Sequence, residues 1–360
     1  MIGIIYIGSI KRCPYLSNYT NCLDELSMDY EIISWDRSED NKKETTELKA
    51  KKHHIFKYSS KEQKSPFFKI FDFYRFSKYA KEVIKNQKYE KLIVLTTMSG
   101  IVILKELCNQ YKKKYIFDYR DASFEFFKPF KLLLNRIVIN SSFTSISSRG
   151  FLKVLPKYEK YVMAHNCSSF ETFTSGNGVK NSNVVVGYIG GLRESVYMKA
   201  LVDRFGNDDR FEFIVHGGGE NLQELIDYSA GIDNVVFTGE YLEKEKKDLV
   251  KHLDLICYNY PESFLNNPAL ANKFYDGLLY RKPLLGNVNT YSGELIENNE
   301  VGISLDFDDM DYKEKLYHYY MNYDIRYFDK KCDVLLEDIK KENTLYKNKI
   351  KEFLNNEYKN

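Results

Sequence analysis

A lysine and an aspartate three residues apart, Lys273 and Asp276 in NNPALANKFYDGLLYRKPLLG, form the pair best suited to hold a charged ligand. Pro268 starts a turn, and Lys273, Phe274, Leu278 and Leu279 suit a short half-buried helix. Arg281-Lys282-Pro283 ends that helix before an apolar strand. Lys273 and Asp276 then share one helical face. A cation in the first turn opposes the helix dipole unless an anion sits there. The placement therefore points to a bound phosphate, with a surface Lys–Asp pair as the plainer alternative.

Two other strand-to-helix junctions carry similar chemistry. In VVVGYIGGLRESVYMKALVDRF a strand ends at Gly190-Gly191, Arg193 follows, and a helix begins by about Ser195. Glycines let backbone N–H groups approach a phosphate, and arginine adds a fixed cationic fork. A tight turn with a solvated Arg193 is the alternative. In FEFIVHGGGENLQELI, His216 and Gly217-Gly218-Gly219 separate a strand from a helix. The glycines there permit close approach of a ligand or are simply a permissive loop, and His216 then has no ligand to meet.

The first half offers Gly8-Ser9 at the end of the first strand, and Asp118, Arg120 and Asp121 just after another. Carboxylates at the carboxyl ends of parallel strands face the ligand side of such sheets; ion pairing with Arg120 is the competing use. SPFFKIFDFYRFSKYAKEVIK is both aromatic and basic, with Phe67, Phe71, Tyr74 and Lys78 at helical spacing. Core packing with a lysine-rich outer face explains it most simply. Docking to a membrane surface or an acceptor is the alternative.

The elements that must position these residues are legible as rhythm. Apolar runs at Ile2–Ile7, Glu31–Ser34, Lys91–Leu95, Tyr115–Phe117, Thr144–Ile146 and Tyr161–Met163 read as strands, with helices over Phe71–Lys85 and Gly100–Tyr111. A polar stretch, 172–183, reads as a linker. A second series follows at Val184–Ile189, Phe211–His216, Asn234–Phe237, Leu253–Tyr258, Pro283–Leu285 and Gly302–Leu305, and the chain turns helical and charged after Asp309. This alternation predicts an α/β protein of two Rossmann-like domains facing a cleft. The expected divisions are 1–171, 172–183, 184–325 and a helical segment 326–360. A chain of 360 residues fits two such domains.

Composition excludes several classes. The net charge is +2, which gives no reason to expect nucleic-acid binding. The six cysteines are scattered, with no C-x-x-C pair, so neither a metal cluster nor a disulfide framework is expected, and reduced thiols in a cytoplasmic protein fit best. The N-terminal MIGIIYIG reads as a buried strand, and no run of 18 apolar residues occurs. A dinucleotide fold would want G-x-G-x-x-G after a strand, a spacing that neither Gly190-Gly191 nor HGGGE meets.

With NKFYDGLLYRKPLL the chain resembles the glycosyltransferases of GT-B fold, of the "group 1" or family 4 type found in bacterial capsule and exopolysaccharide synthesis. GYIGGLR, FIVHGGGENLQELI and NVVFTGEYLEKEKKDLVKHLDLICYNY lie in the order and spacing of that family's donor domain. DYRDASFE, SISSRGF and the MAHN segment match more loosely. The resemblance implies a nucleotide diphosphate-sugar donor, most simply UDP-linked, held by the second domain, and a C-terminal helix crossing back to the first. It implies that Arg193, Lys273 and the backbone from Ala269 through Leu270 and Ala271 to Asn272 meet the diphosphate, with Gly190, Gly191 and Gly217 close by. Asp276 would meet the ribose, and Gly239 and Tyr241 the base. One departure stands out. The family carries a first Glu eight residues before the position of Asp276, and Pro268 occupies that place.

The expected reaction is retaining, metal-independent transfer of a hexose or similar sugar to a lipid-linked oligosaccharide or polysaccharide. Asp121, Arg193 and Lys273 are the candidate catalytic residues; Gly8, Ser9, Asp118 and Arg120 line the acceptor side. No cofactor beyond the donor is expected, and contact with the inner membrane face is peripheral. A sugar-nucleotide epimerase of the same fold and a non-catalytic descendant of a transferase are the rival readings.

Overall fold

The computed structural model describes residues 1–36, 48–58, 66–167, 169–173, 180, 182–192 and 194–356, with the backbone alone for Arg12 and 66–69. Of the expected linker, residues 174–179 and 181 lie outside this set, as does Arg193. The chain divides into two units, Met1–His165 with Lys341–Asn360, and Asn166–Lys340.

The first unit is a Rossmann-like domain. Its strands are β1 (Ile2–Tyr6), β2 (Tyr30–Asp36), β3 (Lys52–Lys57), β4 (Lys91–Leu95), β5 (Tyr115–Tyr119), β6 (Phe143–Ile146) and β7 (Tyr161–Met163). They form one parallel sheet in the order β3-β2-β1-β4-β5-β6-β7. The connecting helices are α1 (Leu16–Glu25), α2 (Pro66–Gln87), α3 (Thr97–Val102), α4 (Leu104–Cys108) and α5 (Lys128–Asn140). β1, β4 and β5 are buried along their whole length. That is why they read as unbroken apolar runs. β3 was not expected. KHHIFK lies at the sheet edge and is half solvated. Its polar groups are satisfied sideways: His54 Nε2 lies 2.8 Å from Glu31 Oε2, and His53 Nε2 lies 2.7 Å from Ser34 Oγ. The expected helix 100–111 begins instead at Thr97 and breaks at Ile103.

The second unit repeats the plan. It carries β8 (Val184–Ile189), α6 (Ser195–Phe205), β9 (Phe211–His216), α7 (Leu222–Tyr228), β10 (Val235–Gly239), α8 (Lys246–Lys251), β11 (Leu255–Cys257), α9 (Asn272–Leu279), β12 (Leu284–Asn287), α10 (Tyr291–Asn299), β13 (Gly302–Leu305) and α11 (Tyr312–Asn322). Its parallel sheet runs β10-β9-β8-β11-β12-β13. In both sheets strand order reverses direction beside the first strand of the unit, which is where open α/β sheets present ligand-binding loops.

The last helix, α12 (Ile325–Asn355), serves both cores. Phe328, Cys332, Leu336 and Ile339 pack with the α9 side of the second unit. Tyr346, Ile350, Phe353 and Leu354 pack with α1 and β1 of the first. Lys91 Nζ donates to the carbonyls of Phe353, Leu354 and Asn356 and so satisfies the end of this helix.

Asp208 ties the turn that leads into β9 to α11. Its carboxylate takes Arg210 Nη2 at 2.9 Å and Lys313 Nζ at 2.8 Å, and these bonds, Arg210 first, hold its pKa well below the ordinary aspartate range. A depressed carboxylate adds stability above its unfolded pKa and loses it as pH falls towards the folded value. Asp208→Asn should therefore cost about 2 kcal/mol near neutrality, and the gap to the parent should begin to narrow below about pH 4 and close only as pH falls through the lower folded pKa. Chemical denaturation at pH 7 and pH 3 measures this; a gap independent of pH would mean that the charge is not what stabilises.

Candidate functional site

The loops that follow β8, β9 and β10 are stitched together by their backbones. Gly190 N donates to the His216 carbonyl at 2.9 Å, Gly217 N to Gly239 at 2.9 Å, and Leu192 N to Gly218 at 3.0 Å. Gly217 is required by this approach: a Cβ there would stand 1.9 Å from the Gly190 carbonyl oxygen. Gly190 has φ +127 and faces the end of the Lys273 side chain, since a Cβ built on it would lie 3.6 Å from Nζ. The Gly-rich junctions and the α9 lysine, far apart in sequence, thus meet.

Lys273 lies in the first turn of α9 and is 4% exposed. Its Nζ donates to Tyr260 Oη at 2.5 Å and stands over the rings of Tyr188 at 3.8 Å and Tyr260 at 4.5 Å. Burial opposes its charge, but the two tyrosines outweigh burial and hold its pKa above the ordinary lysine value. The group is an ammonium whose close partners are neutral. α9 has no side-chain N-cap and no acidic residue in its first turn; its N-cap is Ala271. A buried ammonium and the positive end of a helix dipole occupy one spot without a carboxylate between them. That arrangement is costly unless an anion completes it.

Asp276, one turn on, is buried and already engaged. Its Oδ1 lies 2.8 Å from Lys246 Nζ, and both side chains are about nine-tenths buried. Burial pushes the Asp276 carboxyl above its ordinary range while Lys246 pulls it back. Tyr241, raised by burial, feels both charges and so belongs to this neighbourhood. Sequence reasoning named Asp276 and Tyr241 but missed Lys246, Tyr188 and Tyr260. Lys246 looks like one more cation in the run KEKKD, and only its exposure distinguishes it.

The remaining residues expected on the donor side take plain positions. The Gly191 carbonyl accepts from Tyr188 Oη at 3.1 Å, and Ala271 N donates to Tyr258 Oη at 2.5 Å. Leu270 is core, Ala269 is half-buried and Asn272 is exposed. Gly239 adopts φ +83 with open space where a Cβ would stand. His216 Nδ1 pairs with Thr238 Oγ1 at 2.8 Å, and burial lowers its pKa. Pro268 is buried. The D-x-D spacing that can hold a divalent cation does occur, as Asp306–Asp308 and Asp309–Asp311. These carboxylates accept local backbone bonds from Asp308 N and Asp311 N. Among the described residues no His, Cys, Asp or Glu group is gathered to hold a metal ion.

In the first unit Gly8 and Ser9 follow β1, and Ile7 N donates to Ser99 Oγ at 3.0 Å. Asp118 and Arg120 are turned inward and spend their charges on each other. Arg120 Nε meets Asp118 Oδ1 at 2.6 Å and Nη2 meets Oδ2 at 3.0 Å, while Nη1 donates to the Ala164 carbonyl. Tyr19 Oη adds a third bond to Asp118 at 2.7 Å. Asp118 is fully buried, so the pair reads as an internal brace, whereas Asp121 is exposed. On α2, Phe76, Ala80 and Ile84 are core while Ile70, Phe71 and Tyr74 face solvent. Lys64 lies outside the described residues, as do the side chains of Phe67, Phe68 and Lys69.

No protein-family model matches this sequence, and no curated protein matches it. Solved structures do. Sucrose-phosphate synthase from Thermosynechococcus elongatus superposes with a TM-score of 0.70 at 11% identity, covering 94% of each chain. The S. aureus MnaA–UDP structure gives 0.52 at 12% identity, over 92% of this chain and 90% of that one. The lipopolysaccharide outer core galactosyltransferase WaaB gives 0.51 at 15% identity, over 94% and 99%. The fold is therefore that of the GT-B glycosyltransferases.

Two measurements test this site. Lys273→Met should leave the free protein as stable as the parent or more so, because it removes a buried charge with neutral partners. It should weaken UDP binding roughly 10- to 100-fold, the worth of a charge-assisted bond. A large loss of stability with unchanged UDP affinity would make Lys273 structural. Lys246→Met should remove the nearest charge that opposes burial at Asp276, so its carboxyl takes up a proton more readily. UDP binding should weaken more steeply with falling pH in that variant than in the parent, while the pyrophosphate profile is the same in both; UDP profiles that coincide would remove Asp276 from nucleoside recognition.

Proposed function

We propose that this chain transfers a sugar from a nucleotide diphosphate-sugar, of UDP type, to a lipid-linked oligosaccharide or polysaccharide of the capsule or exopolysaccharide kind. The observation that carries the reading is the Lys273 ammonium, buried among tyrosines at an uncapped helix start and facing Gly190. A diphosphate supplies the missing negative charge. As the bond from the sugar to the diphosphate breaks, charge grows on the leaving oxygen. The α9 amides and Lys273 are already oriented to receive it, which is how a preorganised site lowers the barrier. Arg193 would add a second cation, and no metal is needed for this step. Asp276, held by Lys246, takes the ribose hydroxyls, and the backbone from Gly239 to Tyr241 takes the base.

Acceptor contacts are assigned to the first unit, at Gly8, Ser9 and the exposed Asp121. Asp118 and Arg120 act there as the brace beneath that loop. A lipid-linked acceptor requires the protein at a membrane surface. The contact in this reading is peripheral, at the cytoplasmic face; no helix among the described residues is long and apolar enough to cross a membrane.

A screen of nucleoside diphosphates and nucleotide-sugars by thermal shift tests the donor. A ligand at 100 times its Kd stabilises the folded state by about 2.7 kcal/mol. UDP or a UDP-sugar should raise the melting temperature by several degrees and inorganic phosphate by less. Turnover should need an acceptor and should survive chelator. No shift with any nucleoside diphosphate, or conversion of the sugar nucleotide with no acceptor present, would overturn the assignment.

A further inference from the structure

The segment DASFEFFKPFKLLLNRIVI puts an unusual amount of apolar surface in water. Phe126 is 67% exposed and Leu132 64%, and Phe124, Phe127 and Ile139 are also exposed. This exposure is built in. Glu125 is buried and accepts from Tyr119 Oη at 3.0 Å and Ser123 N at 2.5 Å, and Phe127 N donates to the Phe124 carbonyl at 2.9 Å. With Glu125 turned inward as a staple, its neighbours Phe124 and Phe126 are turned out. Phe124 contacts the rings of Phe126 and Phe130, with centroids 6.2 and 5.6 Å apart, so the aromatics form one cluster.

α5 continues the surface. Leu134, Ile137 and Val138 face the core, while Leu132, Arg136 and Ile139 follow one another along the solvent side. α3 packs on both α2 and α5. All three helices follow parallel strands, so their first turns lie at the same edge of the sheet. The exposed Ile70, Phe71 and Tyr74 lie near the start of α2 and so toward that same edge. The exposed charges on these segments are mainly positive: Arg75, Lys78, Lys128 and Arg136, with half-buried Lys131 beside them. Against them stand Asp121 and Glu82; Glu125 and Asp72 are buried.

We propose that the Phe124–Phe130 turn and the outer face of α5 insert into the headgroup layer of an anionic membrane, with the first turns of α2 as a flanking contact. Contiguous exposed apolar patches mark interaction sites. Aromatics in a basic surround fit the interface of a negatively charged leaflet, where the rings enter the acyl boundary and the cations stay at the phosphates. The chemistry selects anionic lipid over an acidic protein because exposed ring and aliphatic groups outnumber the charges on this turn and helix. The inference deepens the lipid-linked acceptor reading and places the membrane anchor mainly on α5, where sequence alone pointed to α2.

Co-sedimentation of the full chain with phosphatidylglycerol-containing vesicles and with pure phosphatidylcholine vesicles tests it. The parent should bind the anionic vesicles at low salt and lose binding at high salt. Two separate variants, Phe126→Ser with Phe127→Ser, and Lys128→Gln with Lys131→Gln, should each bind roughly tenfold or more weakly at an unchanged melting temperature. The lysine pair keeps the test informative if the phenylalanine pair lowers stability. UDP affinity, measured on the same preparations, should be unaffected by either. A parent that never co-sediments, or variants that bind as well as the parent, would overturn the membrane face. So would a parent that self-associates and is made monomeric by the phenylalanine pair, which would make the face a protein interface. Retained UDP binding in any of those outcomes would leave the donor assignment standing.

Discussion

A positive charge buried against neutral partners is the constraint around which the second unit is organised. An ammonium taken out of water needs hydrogen bonds and, ordinarily, a counter-charge. Lys273 has a phenol hydroxyl and two aromatic faces. These keep it protonated and fix its direction without neutralising it. The uncapped start of α9 adds a second positive potential at the same place. A buried charge left in this state costs folding free energy and favours an anion at that place.

Neighbouring features follow from that need. Tyr188 comes from β8 and Tyr260 from the loop after β11, adjacent strands of the sheet. The loops after β8, β9 and β10 are drawn close enough to bond through their backbones, and glycine at 217 makes that spacing possible. Lys246 balances Asp276 a turn away, so one helix carries an unneutralised cation and a neutralised anion on the same side. The two charges on that helix therefore sit in different electrostatic settings.

The first unit treats charge and apolar surface the other way round. Asp118 and Arg120 stand at the carboxyl end of β5, where ligand-binding side chains are expected, yet they close on each other beneath the surface with Tyr19 bound to the carboxylate. A few residues later Glu125 is drawn inward and phenylalanines are turned out. Apolar side chains face outward and charges inward here, the reverse of an ordinary solvated surface.

The sequence by itself determined the strand rhythm, because parallel strands covered on both faces must be apolar throughout, and it determined the cation at the start of α9, because helix polarity makes that position conspicuous. It did not reveal β3, whose polar residues are acceptable only at an edge beside Glu31 and Ser34. Tertiary structure alone decided which lysine of KEKKD is buried, since the partner that justifies Lys246 is Asp276, 30 residues on. It alone decided that Asp118 faces Arg120 and not solvent, and that Lys273 meets tyrosines and not Asp276. Side-chain periodicity reports which face of an element is covered; which charge meets which is fixed only when strands distant in sequence are laid side by side.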